Sequence, residues 1–149
     1  MISAVGKATI ERPANAVIDF VLDLERYKQA DTKIARVMAS NIAGDTGEVR
    51  YAGRLHGIPG PAMVNVVTVD RPSRVDFRSK PGTWQHALLR FHGSFLLEGS
   101  GTTTTVTHRE EFSFRVPLSW AVEPLIRKWL TTSMHDEMAR MKVLLETPS

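Results

Sequence analysis

The sequence contains no cysteine. This excludes disulfide bonds, thiolate catalysis and cysteine-ligated metal sites. No apolar run approaches the roughly 20 residues that a membrane-spanning helix needs. The N-terminus also lacks the basic segment and apolar run of a signal peptide. We therefore expect a cytoplasmic protein without stable membrane insertion.

The excess of positive over negative charge is small as well. The formal net charge is +3, and the basic residues are scattered along the chain. Nucleic-acid-binding proteins usually cluster such residues on one face, so we expect no nucleic-acid partner. The apolar fraction of 42% and the charged fraction of 23% are typical of globular domains. The length predicts a single domain over residues 1–149.

The short motifs that identify many enzymes are missing. The sequence has no P-loop, no GxGxxG, no GxSxG, no EF-hand loop and no HExxH. His92 and His108 could face each other across a hairpin that turns near Gly99, but such pairs are far more often ordinary contacts than zinc sites. We therefore expect neither a cofactor nor a bound metal ion.

Two helical patterns bracket a β-rich middle. The first covers residues 13–24, where Pro13 suits the start of a helix. The second runs from Leu118 to Leu145 and predicts one long helix. Its apolar residues recur at spacings of three or four, which places them on one face: Val122, Ile126, Leu130, Met134, Met138, Met141 and Leu145.

Turn residues divide the middle of the chain into predicted strands. With the N-terminal segment, they cover residues 2–11, 33–42, 48–57, 62–70, 74–79, 84–98 and 102–116. The segment Ile58-Pro59-Gly60-Pro61 is predicted to be a turn, because proline is disfavoured inside strands. An antiparallel sheet of this size buries one face by curling around the long helix. This α+β arrangement favours a cavity between helix and sheet.

Four segments resemble a known family: residues 11–27, 70–79 and 99–107, and the last helix. Together they make the chain similar to the START-like, helix-grip proteins of the SRPBCC superfamily, in particular the polyketide cyclase/dehydrase branch. The segment Gln29-Ala30-Asp31 departs from the family, which often has a tryptophan there. The resemblance implies a Bet v 1-like fold with a cavity for a hydrophobic or amphipathic molecule. It implies no catalytic motif, since only some members are enzymes.

One strand carries polar residues on a face that is otherwise apolar. His108 and Glu110 share the parity of Val106, Phe112 and Phe114 in residues 102–116. If this face points inward, the two groups must be paired and lie near a cavity, because burying them unpaired is costly. Alternatively, a bulge turns them towards solvent. Their spacing permits a His–Glu interaction that would favour protonated His108.

The strand predicted at residues 84–98 has an ambiguous parity. Leu89 and Phe91 belong to the odd set, which we take as inward, so that Arg90 faces outward. A bulge would reverse part of this assignment and place Trp84, His86 and Arg90 at the rim of the cavity. Both alternatives remain open from the sequence.

We favour a non-catalytic protein that binds a lipid- or polyketide-like molecule between the helix and the sheet. One alternative is a cyclase or dehydratase in which His108 and Glu110 act as general acid and base and Arg90 polarises a carbonyl. Another is a regulatory or interaction protein, for which a homodimer is possible. Within residues 62–70 the inward parity is ambiguous, so Met63, Val67 and Val69 are equal alternatives to Val66 as ligand contacts. The predicted ligand contacts are Tyr51, Leu55, Val66, Phe77, Leu89, Phe91, His108, Glu110, Phe112, Trp129, Ser133 and Met134.

Overall fold

The computed structural model describes residues 1–148. Its elements in chain order are β1 (Ile2–Ile10), α1 (Ala14–Leu22), α2 (Leu24–Tyr27), β2 (Ile34–Ala43), β3 (Thr46–Leu55), β4 (Ile58–Asp70), β5 (Arg74–Ser79), α3 (Trp84–Leu88), β6 (Leu89–Ser100), β7 (Thr103–Phe114) and α4 (Leu118–Glu146).

The seven strands form one antiparallel sheet. Their order is β1-β7-β6-β5-β4-β3-β2, so strands β2 to β7 pair in chain order and β1 joins beside β7. This is the meander that the turn spacing predicts. It leaves β1 and β2 at the two edges of an open curved sheet.

The long helix α4 covers the inner face of the sheet, as expected. It packs mainly on β1 and β7. Its 29 residues extend about 43 Å at 1.5 Å per residue. Pro124 lies inside the helix and supplies no backbone N–H. Among residues 1–148, no helix is both long and apolar enough to cross a membrane.

A close backbone approach fixes α4 on β1. A Cβ atom at Gly6 would lie 2.8 Å from Met138 Cγ and 3.0 Å from the Met134 carbonyl oxygen. Met134 and Met138 are themselves buried. Only a residue without a side chain permits this helix–strand distance, so Gly6 sets how deeply α4 sits on the sheet.

The short helices α1 and α2 join the core through a row of aromatic contacts. Phe20 of α1 packs edge-on against Tyr27, Tyr27 against Phe95, and Phe95 against Phe77, with ring centroids 5.6–6.3 Å apart. Such edge-to-face contacts are favoured by aromatic quadrupoles. They join α1 and α2 to the middle of the sheet.

The predicted strand at residues 84–98 is wrong in its first five residues, which form α3. The side chain of Thr83 accepts a hydrogen bond from the His86 N–H at 3.2 Å and so caps this short helix. The strand β6 begins only at Leu89. Trp84 is consequently exposed.

The predicted turn at residues 58–61 is also wrong, because these residues open β4. The turn lies at His56 and Gly57, whose φ angles are 50° and 78°, as expected for a two-residue hairpin. The prolines are tolerated because β4 pairs with β5 only from Asn65 onward. Before that point β4 has a strand on one side alone, so a missing N–H leaves no second ladder incomplete.

The β6–β7 hairpin turns later than predicted. Its last pair is Ser100 with Thr103, which places His92 opposite Glu111 and His108 opposite Phe95. The expectation that His92 and His108 face each other is therefore wrong.

The contact at Gly6 predicts a clear difference between two glycine substitutions. Gly6→Ala should lower the free energy of unfolding by about 1–3 kcal/mol, because the new methyl group overpacks the helix–strand contact. Gly53→Ala is the matched control, since a Cβ there meets nothing nearer than 3.9 Å. Urea unfolding midpoints measure both, and equal midpoints would show that Gly6 does not set the helix position.

Candidate functional site

A cavity of about 290 Å³ lies between the sheet and the first half of α4. This volume is close to the lower end of the roughly 300–1,000 Å³ typical of small-molecule sites. Most of its wall is apolar: Leu24, Ile34, Leu55, Ile58, Met63, Phe77, Leu89, Phe91, Phe95, Phe112, Phe114, Leu118, Val122 and Ile126.

Strand alternation decides which side chains reach the cavity. On β7 the even positions from His108 to Phe114 face inward, as one of the two alternatives from the sequence predicted. Among the residues predicted to contact a ligand, those on the cavity wall are Tyr51, Leu55, Phe77, Leu89, Phe91, His108, Glu110 and Phe112. Their part in binding stays a prediction.

Two predicted residues lie on the opposite face of the sheet. Val66 and Arg90 line a separate outer depression, and Arg90 is exposed. On β4 the odd positions point inward, so Met63 and Asn65 take the place on the wall that was predicted for Val66. Arg90 follows the inward Leu89 and therefore points out. The prediction that Arg90 polarises a carbonyl in the cavity is wrong on these grounds.

Three predicted helix residues lie outside the cavity wall, which takes only Leu118, Val122 and Ile126 from α4. Trp129 packs on the His56 ring with centroids 5.3 Å apart. Ser133 and Met134 are buried further along the helix, where α4 lies close to β1. The prediction was wrong because it placed the cavity about one to two helical turns too far along α4.

A buried ion cluster forms the inner end of the cavity. The Lys33 Nζ atom lies 2.8 Å from Asp31 Oδ1, 2.9 Å from Glu110 Oε1 and 3.2 Å from Glu137 Oε1. No side chain of the four is more than 8% exposed. One ammonium group therefore joins the segment before β2, strand β7 and helix α4.

His108 extends the cluster through Glu137. Its Nδ1 atom lies 2.6 Å from Glu137 Oε2, and its ring stacks on Phe95 with centroids 3.9 Å apart. Glu137 rather than Glu110 is therefore the direct partner of His108: Glu110 pairs with Lys33 and raises the pKa of His108 through its charge. Because Glu137 engages Nδ1, Nε2 is the ring nitrogen left for the cavity side.

Burial and mutual charge shift the pKa values within the cluster. Burial alone would lower the pKa of His108, but the charge and hydrogen bond of Glu137 outweigh it and raise the pKa. Burial would likewise lower the pKa of Lys33, whereas Asp31, Glu110 and Glu137 raise it well above its ordinary value. The neighbouring carboxyl groups therefore favour the cationic form of both groups.

The three carboxyl groups respond differently. Burial and the negative charge of Glu137 raise the pKa of Asp31 to about 8, against the opposing effect of Lys33. Burial also raises the pKa of Glu110. For Glu137, burial is outweighed by Lys33 and His108, which lower its pKa. The cluster therefore keeps a proton on Asp31 at neutral pH, while Lys33 and His108 favour the ionised form of Glu137.

Three members of this cluster were not predicted as site residues. Glu137 lies at helical spacing between Met134 and Met141, on the apolar face of α4. A charged residue on this face could have been recognised from the sequence as a candidate site residue. Asp31 and Lys33 lie before a strand, where a sequence pattern gives no direction to side chains. Their role appears only when three distant segments come together.

His108, Glu110 and Glu137 also have the chemistry of a metal-ligand set, since their ligand atoms lie within 4.8 Å of one another. However, Lys33 Nζ already contacts both carboxylates. The ammonium group thus supplies the positive charge that a metal ion would bring. The residues fit an internal ion pair better than a metal centre.

The comparisons with known proteins agree on the fold. A family model described as polyketide cyclase / dehydrase and lipid transport matches residues 1–146. No curated protein matches the sequence. Among solved structures, the protein TTHA0849 from Thermus thermophilus is 16% identical with a TM-score of 0.76, over 96% of each chain.

Two further structures share the fold. A START superfamily protein from Mycobacterium smegmatis is 12% identical with a TM-score of 0.72, over 97% of both chains. The ZhuI aromatase/cyclase from Streptomyces sp. R1128 is 12% identical with a TM-score of 0.69, over 96% of this chain and 90% of that one. The START/Bet v 1-like helix-grip fold expected from the sequence is thereby confirmed.

The ion cluster predicts that Lys33 is a critical residue. Lys33→Met should destabilise the protein by about 3–5 kcal/mol, because it leaves buried carboxylates without a counter-charge. Lys28→Met is the control, since Lys28 pairs with Glu25 at the surface, where such pairs are worth about 0–1 kcal/mol. Urea unfolding measures both, and similar losses for the two variants would contradict the role given to Lys33.

The raised pKa of Asp31 predicts a pH dependence. The folded protein holds this proton up to about pH 8, whereas an ordinary aspartate loses it near pH 4. The folded state therefore binds more protons between these values, and stability falls as the pH rises through them, by at most about 1.4 kcal/mol per pH unit. His108 adds a loss of the same sign that begins near its ordinary pKa of 6.5, because its pKa is raised too.

Asp31→Asn should reduce this loss between about pH 5 and pH 8, since an amide does not titrate. Unfolding midpoints measured across that interval test the expectation. Asp45→Asn, in the exposed β2–β3 turn, should keep the original pH dependence. An Asp31→Asn profile parallel to that of the unaltered protein would refute the assignment.

Proposed function

The chain belongs to the polyketide cyclase / dehydrase and lipid transport family, and from this premise we propose that it binds an amphipathic, lipid- or polyketide-like molecule in the cavity under α4. The observation that carries the proposal is the composition of the cavity wall. Apolar side chains form most of it, while polar groups gather at the inner end. A ligand with an apolar body and one polar group matches both parts.

The apolar part of the wall supplies the binding energy in this proposal. Phe77, Phe91 and Phe112 present aromatic surface to the cavity, and each Å² of apolar surface that leaves water contributes about 25 cal/mol. Apart from Phe95 and Phe114, the other apolar residues of the wall are aliphatic, and apolar contacts are non-directional. This composition suits hydrophobic molecules of varied shape.

The exposed residues of the cavity wall mark an entrance. Ile58 at the start of β4 is 49% exposed, and Leu118 at the start of α4 is 38% exposed. Both also line the cavity. A ligand would therefore enter between the β3–β4 hairpin and the first turn of α4, with apolar side chains on both sides.

A cyclase- or dehydratase-type enzyme is the second candidate. His108 and Glu110 both line the cavity, as acid–base catalysis requires. Because the pKa of His108 is raised, its imidazolium form would donate a proton to a substrate rather than accept one. This restricts the enzymatic alternative to a step that begins with acid catalysis, and binding is proposed ahead of it.

Filling the cavity should abolish binding. Gly53 lines the cavity, and a Cβ there meets only ordinary contacts at 3.9 Å. Gly53→Phe should therefore weaken the binding of an uncharged hydrophobic dye, N-phenylnaphthylamine, by about tenfold or more, measured by fluorescence titration.

Arg50→Phe is the matched control, since Arg50 lies on the same strand but is exposed. Its dye affinity should equal that of the unaltered protein. Equal affinity of all three proteins would place the dye outside the cavity and overturn the proposal, and so would failure of the unaltered protein to bind the dye.

A further inference from the structure

The inner end of the cavity carries polar atoms that the protein does not fully hydrogen-bond. Asn65 Oδ1 is buried without a hydrogen-bond partner among residues 1–148. Tyr27 Oη has no hydrogen bond of acceptable geometry within the same residues, although Glu137 is near enough to raise its pKa. Glu110 Oε1 lies 2.9 Å from Lys33 Nζ but has no hydrogen bond with acceptable geometry. All three residues line the cavity. Buried polar atoms are normally satisfied, so three together indicate a place for a ligand's polar group.

These atoms have mainly acceptor capacity. A carboxylate oxygen and an amide oxygen accept hydrogen bonds, and a tyrosine hydroxyl accepts or donates. The Asn65 amide is oriented by donating from Nδ2 to Tyr51 Oη at 3.0 Å. Reversing it would leave Nδ2 free instead, so Asn65 offers one unpaired polar atom in either orientation. Glu110 remains an acceptor in both cases.

The cations of the site are already engaged. The ammonium group of Lys33 has three N–H donors and lies within 3.2 Å of three carboxyl groups. His108 is paired with Glu137 through Nδ1 and has Nε2 left. Arg54 also lines the cavity, but it is exposed at the entrance and its Nη2 donates to the Thr32 carbonyl oxygen.

A negatively charged ligand group would therefore meet an unfavourable site. It would enter beside the Glu110 carboxylate, with Glu137 behind it. Lys33 already faces three carboxyl groups, and His108, which keeps only Nε2 for a ligand, is paired with Glu137. Like charges repel strongly where water is excluded, and an unpaired buried anion is costly. A carboxylate also has no proton to donate to Glu110 or Asn65.

We propose that the cavity selects a ligand whose inserted end is an uncharged hydroxyl group, as in an alcohol or a phenol, and rejects carboxylates. A hydroxyl group donates one hydrogen bond to an unpaired acceptor and can accept one from His108 Nε2. This inference rests on the proposed function, because it concerns the ligand of the same cavity.

Three compact probes separate the possibilities. At neutral pH naphthalene has no polar group, 2-naphthol has an uncharged hydroxyl group and 2-naphthoate is an anion. Isothermal titration should give 2-naphthol an affinity at least about fivefold above naphthalene and about tenfold or more above 2-naphthoate. A 2-naphthoate affinity equal to that of 2-naphthol would overturn the inference.

A second measurement tests the part of Glu110 in rejecting carboxylates. Glu110→Gln keeps an acceptor oxygen and removes a negative charge, so 2-naphthoate should recover about fivefold or more relative to 2-naphthol. Glu111→Gln alters the neighbouring carboxylate, which pairs with Arg109 at the surface, and should leave the ratio unchanged. Because the ratio compares two probes on one protein, a loss of stability alone does not produce this result. An unchanged ratio in Glu110→Gln would count against the inference.

Arg54→Gln identifies binding at the entrance. If residual 2-naphthoate affinity disappears in this variant while 2-naphthol affinity is retained, the anion binds outside the inner end, as the inference expects. If 2-naphthoate still binds Arg54→Gln as tightly as 2-naphthol does, the inner end accepts anions and the inference fails. Binding of N-phenylnaphthylamine with no preference among the three probes refutes this inference alone, whereas absence of binding for every compound refutes the proposed function as well.

Discussion

The position of the Lys33 ammonium group is the constraint on which the rest of the structure depends. It holds Asp31, Glu110 and Glu137 within 3.2 Å, and these residues belong to a loop, strand β7 and the C-terminal helix. Removing charged groups from water costs several kcal/mol for each ion. The cluster is formed only when all three segments are in place, so it favours this arrangement over others more than it adds to stability. Apolar residues would pack these segments with less directional preference.

The cluster also gives the cavity its polarity. Along α4 the cavity wall comes from Leu118, Val122 and Ile126, and the helix joins the ion cluster about three turns later at Glu137. The space under the helix is therefore apolar at its entrance and polar at its inner end. Asp31 and Glu110, which pair with Lys33, also line this space. If the cavity selects its ligand as proposed, structural support and ligand selection depend on the same groups.

The sequence predicted those features that depend on local periodicity. Helical spacing predicted α4, and strand alternation was enough to place His108 and Glu110 together on the inner face, as one alternative had it. The errors occurred where a few residues determine the local secondary structure. Pro59 and Pro61 indicated a turn, because the sequence does not show that β4 has only one neighbouring strand at these residues. Thr83 caps the short helix α3, where the alternation of residues had predicted a strand. The meeting of Lys33 with Glu137 joins residues 104 positions apart, which no local pattern contains.

Pro124 gives the two ends of α4 different local stabilities. Because proline has no N–H, the carbonyl group of Trp120 loses its helical hydrogen bond, and Trp120 itself is 74% exposed. The turns that carry Leu118 and Val122 are therefore held by fewer bonds than the part of the helix that Glu137 fixes to Lys33. Fraying of these turns costs less free energy than unfolding of the whole helix, and it removes one wall of the entrance. The rate at which a bound molecule leaves should accordingly follow the amide hydrogen exchange of residues 118–123 rather than the global stability of the protein.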